Sequence, residues 1–66
     1  MIVWLNGERA ETHGAETISE LAERYDLEPN SVLIEHNGVA LHRREWSERR
    51  IADDDRIEFI RVVAGG

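Results

Sequence analysis

The chain contains one helical segment, with β-rich segments before and after it, and this order leaves few possible folds. The helix is predicted to begin at a capping box, Thr17-Ile18-Ser19-Glu20, whose threonine hydroxyl and glutamate carboxylate each accept a hydrogen bond from a free backbone amide. It is predicted to end near Asp26. One apolar stripe follows at helical spacing, and it comprises Ile18, Leu21, Ala22 and Tyr25. A single helix buries such a stripe by packing on a sheet formed by the rest of the chain.

Five segments are predicted to be extended: residues 2–5, 8–12, 32–36, 39–41 and 56–63. The first two are connected by Asn6-Gly7 and the next two by Asn37-Gly38, dipeptides that favour two-residue hairpin turns. The turn Asp53-Asp54-Asp55 precedes the last strand. Residues 43–50 form a charged connector, predicted to contain a short helical turn anchored by Trp46.

This order predicts an α+β fold of the β-grasp type, with a mixed sheet of four or five strands and the helix packed on one face. The first and last strands would lie parallel at the centre of the sheet. Side chains alternate between faces along a strand. One set is therefore predicted to face the helix, namely Val3, Leu5, Ile57 and Phe59. The alternate set lies on a face that no element of this chain covers, and it comprises Ile2, Trp4, Ile60 and Val62.

The uncovered apolar face is predicted to bind a partner protein. An exposed apolar patch that contains tryptophan is uncommon in a monomer and often marks an interface. We expect Trp4, Ile60 and Val62 to form this patch beside the base of the C-terminal tail. The alternative is that the twist of the sheet places Trp4 partly under a neighbouring loop.

The composition argues against several classes of function. The 66 residues allow one domain, predicted to span residues 1–63, with little room for a catalytic cleft. A formal net charge of −6 opposes binding to nucleic acid or to an anionic membrane. The chain has no cysteine, so it has no thiolate nucleophile and no cysteine-based zinc site.

The dispersed His13, His36 and His42 are interpreted as surface residues, so neither a metal site nor a bound cofactor is expected. No segment is apolar for long enough to span a membrane, and the cytoplasm is the expected location.

The chain ends in Ala64-Gly65-Gly66, and residues 64–66 are predicted to be a flexible tail outside the core. Glycine adds no packing and costs entropy to order, but it passes through a channel in which any Cβ would clash. The reactive group would be the α-carboxylate of Gly66. With an ordinary pKa of about 3.5, it is ionised at neutral pH and able to attack the α-phosphate of ATP. The alternative is a frayed end that happens to be glycine.

These features together resemble the ThiS family of sulfur carriers in thiamine biosynthesis, over essentially the whole chain. The matching motifs are residues 2–8 (IVWLNGE), Asn37-Gly38, Arg44-Glu45-Trp46 and residues 53–66 (DDDRIEFIRVVAGG). The ending is the most specific of them. The chain departs from the family at Asp54, where the turn commonly carries glycine.

The resemblance implies a non-enzymatic carrier that other enzymes act on. An E1-like adenylating enzyme of the ThiF type would join the Gly66 carboxylate to AMP, using ATP and magnesium. Sulfur from a cysteine desulfurase would replace AMP and leave a thiocarboxylate. A thiazole synthase of the ThiG type would then take the sulfur for the thiazole ring of thiamine.

Two alternatives remain open from the sequence. Small subunits of molybdopterin synthase and prokaryotic ubiquitin-like modifiers share the fold and the ending, so the acceptor of the sulfur is undetermined. The other alternative is a non-covalent β-grasp interaction module that uses the Trp4 and Ile60 face and whose tail is never activated.

Overall fold

The structure, a computed structural model, describes residues 1–62. One helix packs on a five-stranded sheet. The strands are β1 (Ile2–Leu5), β2 (Glu8–Glu11), β3 (Val32–His36), β4 (Val39–Leu41) and β5 (Arg56–Arg61), and the helix is α1 (Ile18–Arg24). Two short 3-10 turns, Pro29–Ser31 and Arg43–Glu45, lie in the connections. The second is the predicted turn of the charged connector, whereas the first was not predicted.

The sheet has the strand order β2-β1-β5-β3-β4. Strands β1 and β5 are parallel at its centre, and every other neighbouring pair is antiparallel. The predicted β-grasp fold is confirmed. No helix among residues 1–62 is both long enough and apolar enough to cross a bilayer.

Helix α1 begins at the predicted cap. The Thr17 Oγ1 accepts a hydrogen bond from the Glu20 N–H at 3.1 Å. The Glu20 carboxylate reaches back to the Glu16 N–H at 2.7 Å, one residue before the amide that a standard capping box uses. The helix ends where Asp26 takes a left-handed φ of 58°. The boundaries predicted from the cap and the apolar stripe therefore hold to within about two residues.

The core lies between α1 and the facing side of the sheet. Its fully buried side chains include Val3, Ile18, Leu21, Ile34 and Ile57. Tyr25 and Phe59 are half-buried at its margin. The indole of Trp46 is also buried, and the Trp46 carbonyl accepts a hydrogen bond from the Ser19 N–H at 3.0 Å. The burial of the indole confirms that Trp46 anchors the connector, and the backbone hydrogen bond attaches the connector to the start of the helix.

The prediction that His36 lies at the surface is wrong, because its side chain is buried beneath the connector and the turn before β5. The Arg49 Nε–H donates to His36 Nδ1 at 2.9 Å, and His36 Nε2 lies 2.7 Å from Asp55 Oδ2. Because an arginine only donates, Nδ1 is an acceptor, and the ring proton is assigned to Nε2, which donates to Asp55. The ring is therefore a neutral bridge that joins the connector to the start of β5.

Asp55 is the centre of this polar network. Burial raises the pKa of its carboxyl, but hydrogen bonds from the Ala52 N–H, His36 and the Asn37 side chain outweigh burial and hold the pKa below its ordinary value. The bond from Ala52 is 2.8 Å long and that from Asn37 is 3.1 Å. Asp55 is consequently ionised at neutral pH, and it ties the turn before β5 to the β3–β4 hairpin.

Asp54 has a left-handed φ of 67°. Glycine reaches this conformation at no steric cost, and aspartate is one of the few other residues that adopt it. The departure from the family pattern at this position therefore leaves the shape of the turn intact.

Candidate functional site

The predicted reactive group, the Gly66 carboxylate, and the predicted threading residues Ala64 and Gly65 lie outside the described residues. The structure describes the base from which they extend. The last described residue, Val62, donates its N–H to the Ser31 carbonyl at 2.8 Å. This hydrogen bond therefore holds the chain to the segment before β3 as far as Val62, four residues before Gly66.

Strand β5 is held on its other side by Asn6. The Asn6 N–H donates to the Ile57 carbonyl at 2.9 Å, and the Asn6 Oδ1 accepts from the Phe59 N–H at 2.8 Å. The chain turns away immediately afterwards, because Asn6 and Gly7 have φ angles of 49° and 84°. The Asn6 side chain thus adds one more hydrogen bond to β5 after the backbone pairing between β1 and β5 has ended.

The sheet face opposite α1, which we term the open face, carries rows of side chains that the strand registers define. The first row is Arg9, Trp4 and Arg56, the second is Glu35 and Glu58, and the third is Leu33 and Ile60. Val62 continues the alternation after β5. Along β5 the open face therefore changes from basic and aromatic, through acidic, to apolar beside the base of the tail.

Trp4, Ile60 and Val62 share the open face, as the alternation predicted, but they do not form one patch. Trp4 is opposite Arg56, which is four residues, or about 13 Å, from Ile60 along β5. The Trp4 ring is half-buried, and the Arg9 guanidinium lies over it at 5.7 Å from its centroid. The expectation that Trp4 lies beside the base of the tail is wrong, because the register of two strands distant in sequence determines its position.

The residue missed by the sequence analysis is Leu33. It is 56% exposed and lies directly opposite Ile60, which is 42% exposed. Together with Val62, which is 48% exposed, these residues form what we term the apolar patch. The alternation of side chains along β3 indicates this position, because Val32 and Ile34 face the core and Leu33 between them must therefore face outwards.

The acidic row adjoins the apolar patch. Glu35 and Glu58 are direct cross-strand neighbours, an arrangement of like charges that does not stabilise a sheet. They line a shallow concavity of about 300 Å³ together with Asn37, Gly38 and Arg56. This part of the open face presents carboxylates next to an exposed arginine.

Within residues 1–62 there is no group of three or more histidine, aspartate or glutamate side chains that could hold a metal ion. The described part of the open face contains carboxylates, guanidinium groups and apolar side chains. These groups are suited to protein recognition. The covalent chemistry proposed from the sequence resides in the terminal carboxylate.

Comparison with known proteins gives the family. The model of the ThiS family matches residues 3–66, which include the ending Ala64-Gly65-Gly66. The chain belongs to the ThiS family. The extent of this match agrees with the resemblance seen in the opening hairpin and in the terminal motif.

Individual proteins and a solved structure are also similar to this chain. The chain is 34% identical over 50 residues to the sulfur carrier protein ThiS of Bacillus subtilis (strain 168), which covers 76% of each protein. It is 24% identical over 63 residues to the uncharacterized protein ycf40 of Trieres chinensis, which covers 96% of this chain and 86% of that one. The crystal structure of the thiamine biosynthesis protein (ThiS) of Geobacter metallireducens superposes with a TM-score of 0.85, at 29% identity and with all of both chains covered.

Proposed function

We propose that this ThiS-family protein is a sulfur carrier of thiamine biosynthesis whose Gly66 carboxylate is the group that carries the sulfur. The observation that supports it most is the family match through residue 66, which includes the Ala64-Gly65-Gly66 ending. The chain has no cysteine, so it has no side-chain thiol on which a persulfide could form. The name of the Bacillus relative supports sulfur transport, and the name of the Geobacter relative supports the thiamine pathway.

In the proposed cycle, a ThiF-type enzyme with ATP and magnesium first activates the carboxylate. A Gly66 oxygen attacks the α-phosphate of ATP and pyrophosphate leaves, which gives an acyl adenylate. Activation is required because an anionic carboxylate resists nucleophilic substitution, whereas AMP is a good leaving group. The terminal sulfur of a persulfide formed by a cysteine desulfurase then attacks the acyl carbon and displaces AMP, which gives an acyl disulfide. A thiol reductant cleaves the S–S bond of this disulfide and leaves the thiocarboxylate, which delivers its sulfur to a ThiG-type thiazole synthase.

The apolar patch is proposed to contact the adenylating enzyme. The apolar patch lies at the C-terminal end of β5. An enzyme that docks there holds the base of the tail close to the active site that receives the tail. Holding the domain in this way reduces the conformational freedom that is lost in the reactive step. Ile60→Glu is therefore expected to weaken binding at least thirtyfold, corresponding to roughly 2 kcal/mol. Trp4→Ala should have a smaller effect, because Trp4 lies at the other end of the open face.

The deciding experiment is intact-mass measurement after incubation with ATP, magnesium and a ThiF-type enzyme of proven activity. The wild type should gain the mass of AMP, and after addition of the sulfur source one oxygen should be replaced by sulfur. Gly65→Ala and deletion of Gly66 should block both changes, and the free energy of unfolding should change by less than about 0.5 kcal/mol. Ala64→Gly is the matched control and should remain active, because it adds no atom to the tail.

The alternative of a non-covalent interaction module gives the opposite result in the same assay, namely binding to a partner without an AMP adduct. Sulfur that mapped to an internal residue would also contradict the proposal. The alternative acceptors are separated by adding to the thiocarboxylate either purified thiazole synthase or the large subunit of molybdopterin synthase, each supplied with the small-molecule substrate that accepts the sulfur. Loss of sulfur from the carrier only with thiazole synthase supports the thiamine pathway.

A further inference from the structure

The edge of β5 that faces β1 has a free segment next to the base of the tail. Strands β1 and β5 pair at only two positions, Trp4 with Arg56 and Leu5 with Ile57. After the two hydrogen bonds of Asn6, the turn at Asn6-Gly7 takes the chain away. From Phe59 to Arg61, no strand within residues 1–62 lies on this side of β5.

The register with β3 identifies the backbone groups that point to this free edge. The Asn37 N–H donates to the Arg56 carbonyl at 2.7 Å, and the Val62 N–H donates to the Ser31 carbonyl at 2.8 Å. Hydrogen bonding in an antiparallel pair alternates along the strand. The even-numbered residues of β5 therefore direct their backbone groups towards β3, and the odd-numbered residues direct theirs towards β1.

Three backbone groups consequently face the free edge: the Phe59 carbonyl, the Arg61 N–H and the Arg61 carbonyl. The Phe59 N–H is already satisfied by Asn6. The pairing of β5 with β3 continues in regular register to Arg61, without a bulge that would turn this edge away. Natural proteins usually protect such an edge with a bulge, a proline or a covering element, because it is a template for another strand.

We propose that an extended segment of the adenylating enzyme adds to this edge as a strand, and that it pairs with the Phe59 carbonyl and the Arg61 N–H. This inference rests on the proposed function and specifies how the partner holds the carrier. Strand addition derives its affinity from main-chain hydrogen bonds. A tail that ends in two glycines offers few side chains to grip, so main-chain pairing just before it sets the direction in which the tail leaves the domain.

The enzyme is the favoured occupant over a second copy of this chain because of where the edge lies. The free groups lie within three residues of the end of the described chain, on the same strand as Ile60 of the apolar patch. A partner that covers the patch is therefore within reach of the edge. Two copies paired antiparallel through this edge would instead direct each tail along the other copy's domain and away from an adenylating enzyme.

Hydrogen exchange at single-residue resolution tests the pairing, in the free protein and in the complex with purified ThiF-type enzyme. In the free protein the Arg61 amide should exchange rapidly, whereas the Ile60 and Val62 amides, which bond towards the β3 side, should be protected. In the complex the Arg61 amide should exchange at least tenfold more slowly. Rapid Arg61 exchange in a saturated complex would overturn the proposal. Concentration-dependent protection without enzyme would assign the edge to a second copy and overturn the choice of occupant.

A pair of variants distinguishes hydrogen bonding from simple coverage. Arg61→Pro removes the N–H that faces the free edge and no bond to β3, and proline is tolerated at such edge positions. Arg61→Ala removes the charge and keeps the N–H. We expect Arg61→Pro to bind the enzyme about tenfold more weakly than Arg61→Ala, the equivalent of one hydrogen bond. Equal affinities of two folded variants would refute the pairing.

The AMP adduct, measured on the same samples, separates this inference from the proposed function. A wild type that binds and protects Arg61 but gains no AMP would contradict the carrier function and leave the strand pairing in place. A wild type that is adenylated without protection of Arg61 would do the reverse. Absence of binding would refute both. If Arg61→Pro does not fold, the exchange measurement on the wild type still decides.

Discussion

Two isoleucines of β5 lie on opposite faces of the sheet, one buried and one exposed. Shortening each side chain by one carbon measures how much burial on each face contributes to stability. Ile57 is fully buried at the centre of the sheet, whereas Ile60 is 42% exposed on the open face. Isoleucine to valine is preferred to alanine, because a domain of this size has a small margin of stability and a larger cavity could unfold it.

The magnitude follows from burial. Removing one buried methylene costs about 0.8 kcal/mol in transfer free energy, and Ile→Val in a core typically costs roughly 0.5–1.5 kcal/mol. For a domain of 66 residues, 1 kcal/mol corresponds to a decrease in Tm of about 4–8 °C. Ile60 is only partly buried, so the cost of the same change there should be below about 0.5 kcal/mol and the Tm should fall by less than about 4 °C.

Thermal unfolding followed by circular dichroism, with urea titration in parallel, provides the comparison. The two variants and the wild type should have the same dependence of unfolding free energy on urea, so that only stability differs. Ile57→Val should be the less stable of the two variants, by up to about 1.5 kcal/mol. A larger loss at Ile60→Val would refute the assignment of faces on β5, and with it the position of the apolar patch.

Three further predictions concern the turns and the helix cap. The pKa of Asp55 is lowered in the folded state, so its stabilising contribution is complete above the ordinary aspartate pKa near 3.9 and is lost as the pH falls through the lower folded value. The stability difference between wild type and Asp55→Asn, followed by urea titration, should therefore be constant near neutrality and close in acid, and a gap that widens in acid would contradict the assignment. Asp54→Gly should raise the unfolding free energy by about 0.5 kcal/mol, because relief of the left-handed φ outweighs the added chain entropy, and a loss of stability would show that the Asp54 side chain contributes more than its backbone costs. Thr17→Ala should cost about 1 kcal/mol by thermal melting, with Thr17→Ser close to wild type, and equal stabilities of all three would exclude a role for the Thr17 hydroxyl in the cap.

The features that the sequence predicted correctly depend on interactions within a few residues. The Asn6-Gly7 and Asn37-Gly38 turns have the positive φ angles that these residue types favour. The start of α1 follows from the Thr17 hydroxyl, and the division of β1 and β5 into two faces follows from the alternation of side chains. Because one helix then had to cover one sheet, the β-grasp fold could be predicted from the sequence.

The sequence by itself also determined the chemical proposal, since Ala64-Gly65-Gly66 and the absence of cysteine require no tertiary contact to be read. What only the tertiary structure decided is which distant residues meet. It buried His36 against Asp55, 19 residues away, placed Leu33 opposite Ile60, and separated Trp4 from the base of the tail. Strand register and strand ends are set by packing between segments that are far apart in sequence, whereas propensity and periodicity describe each segment alone. The free edge of β5 arises in the same way, from a neighbour that turns away at Asn6 while β5 continues to Arg61.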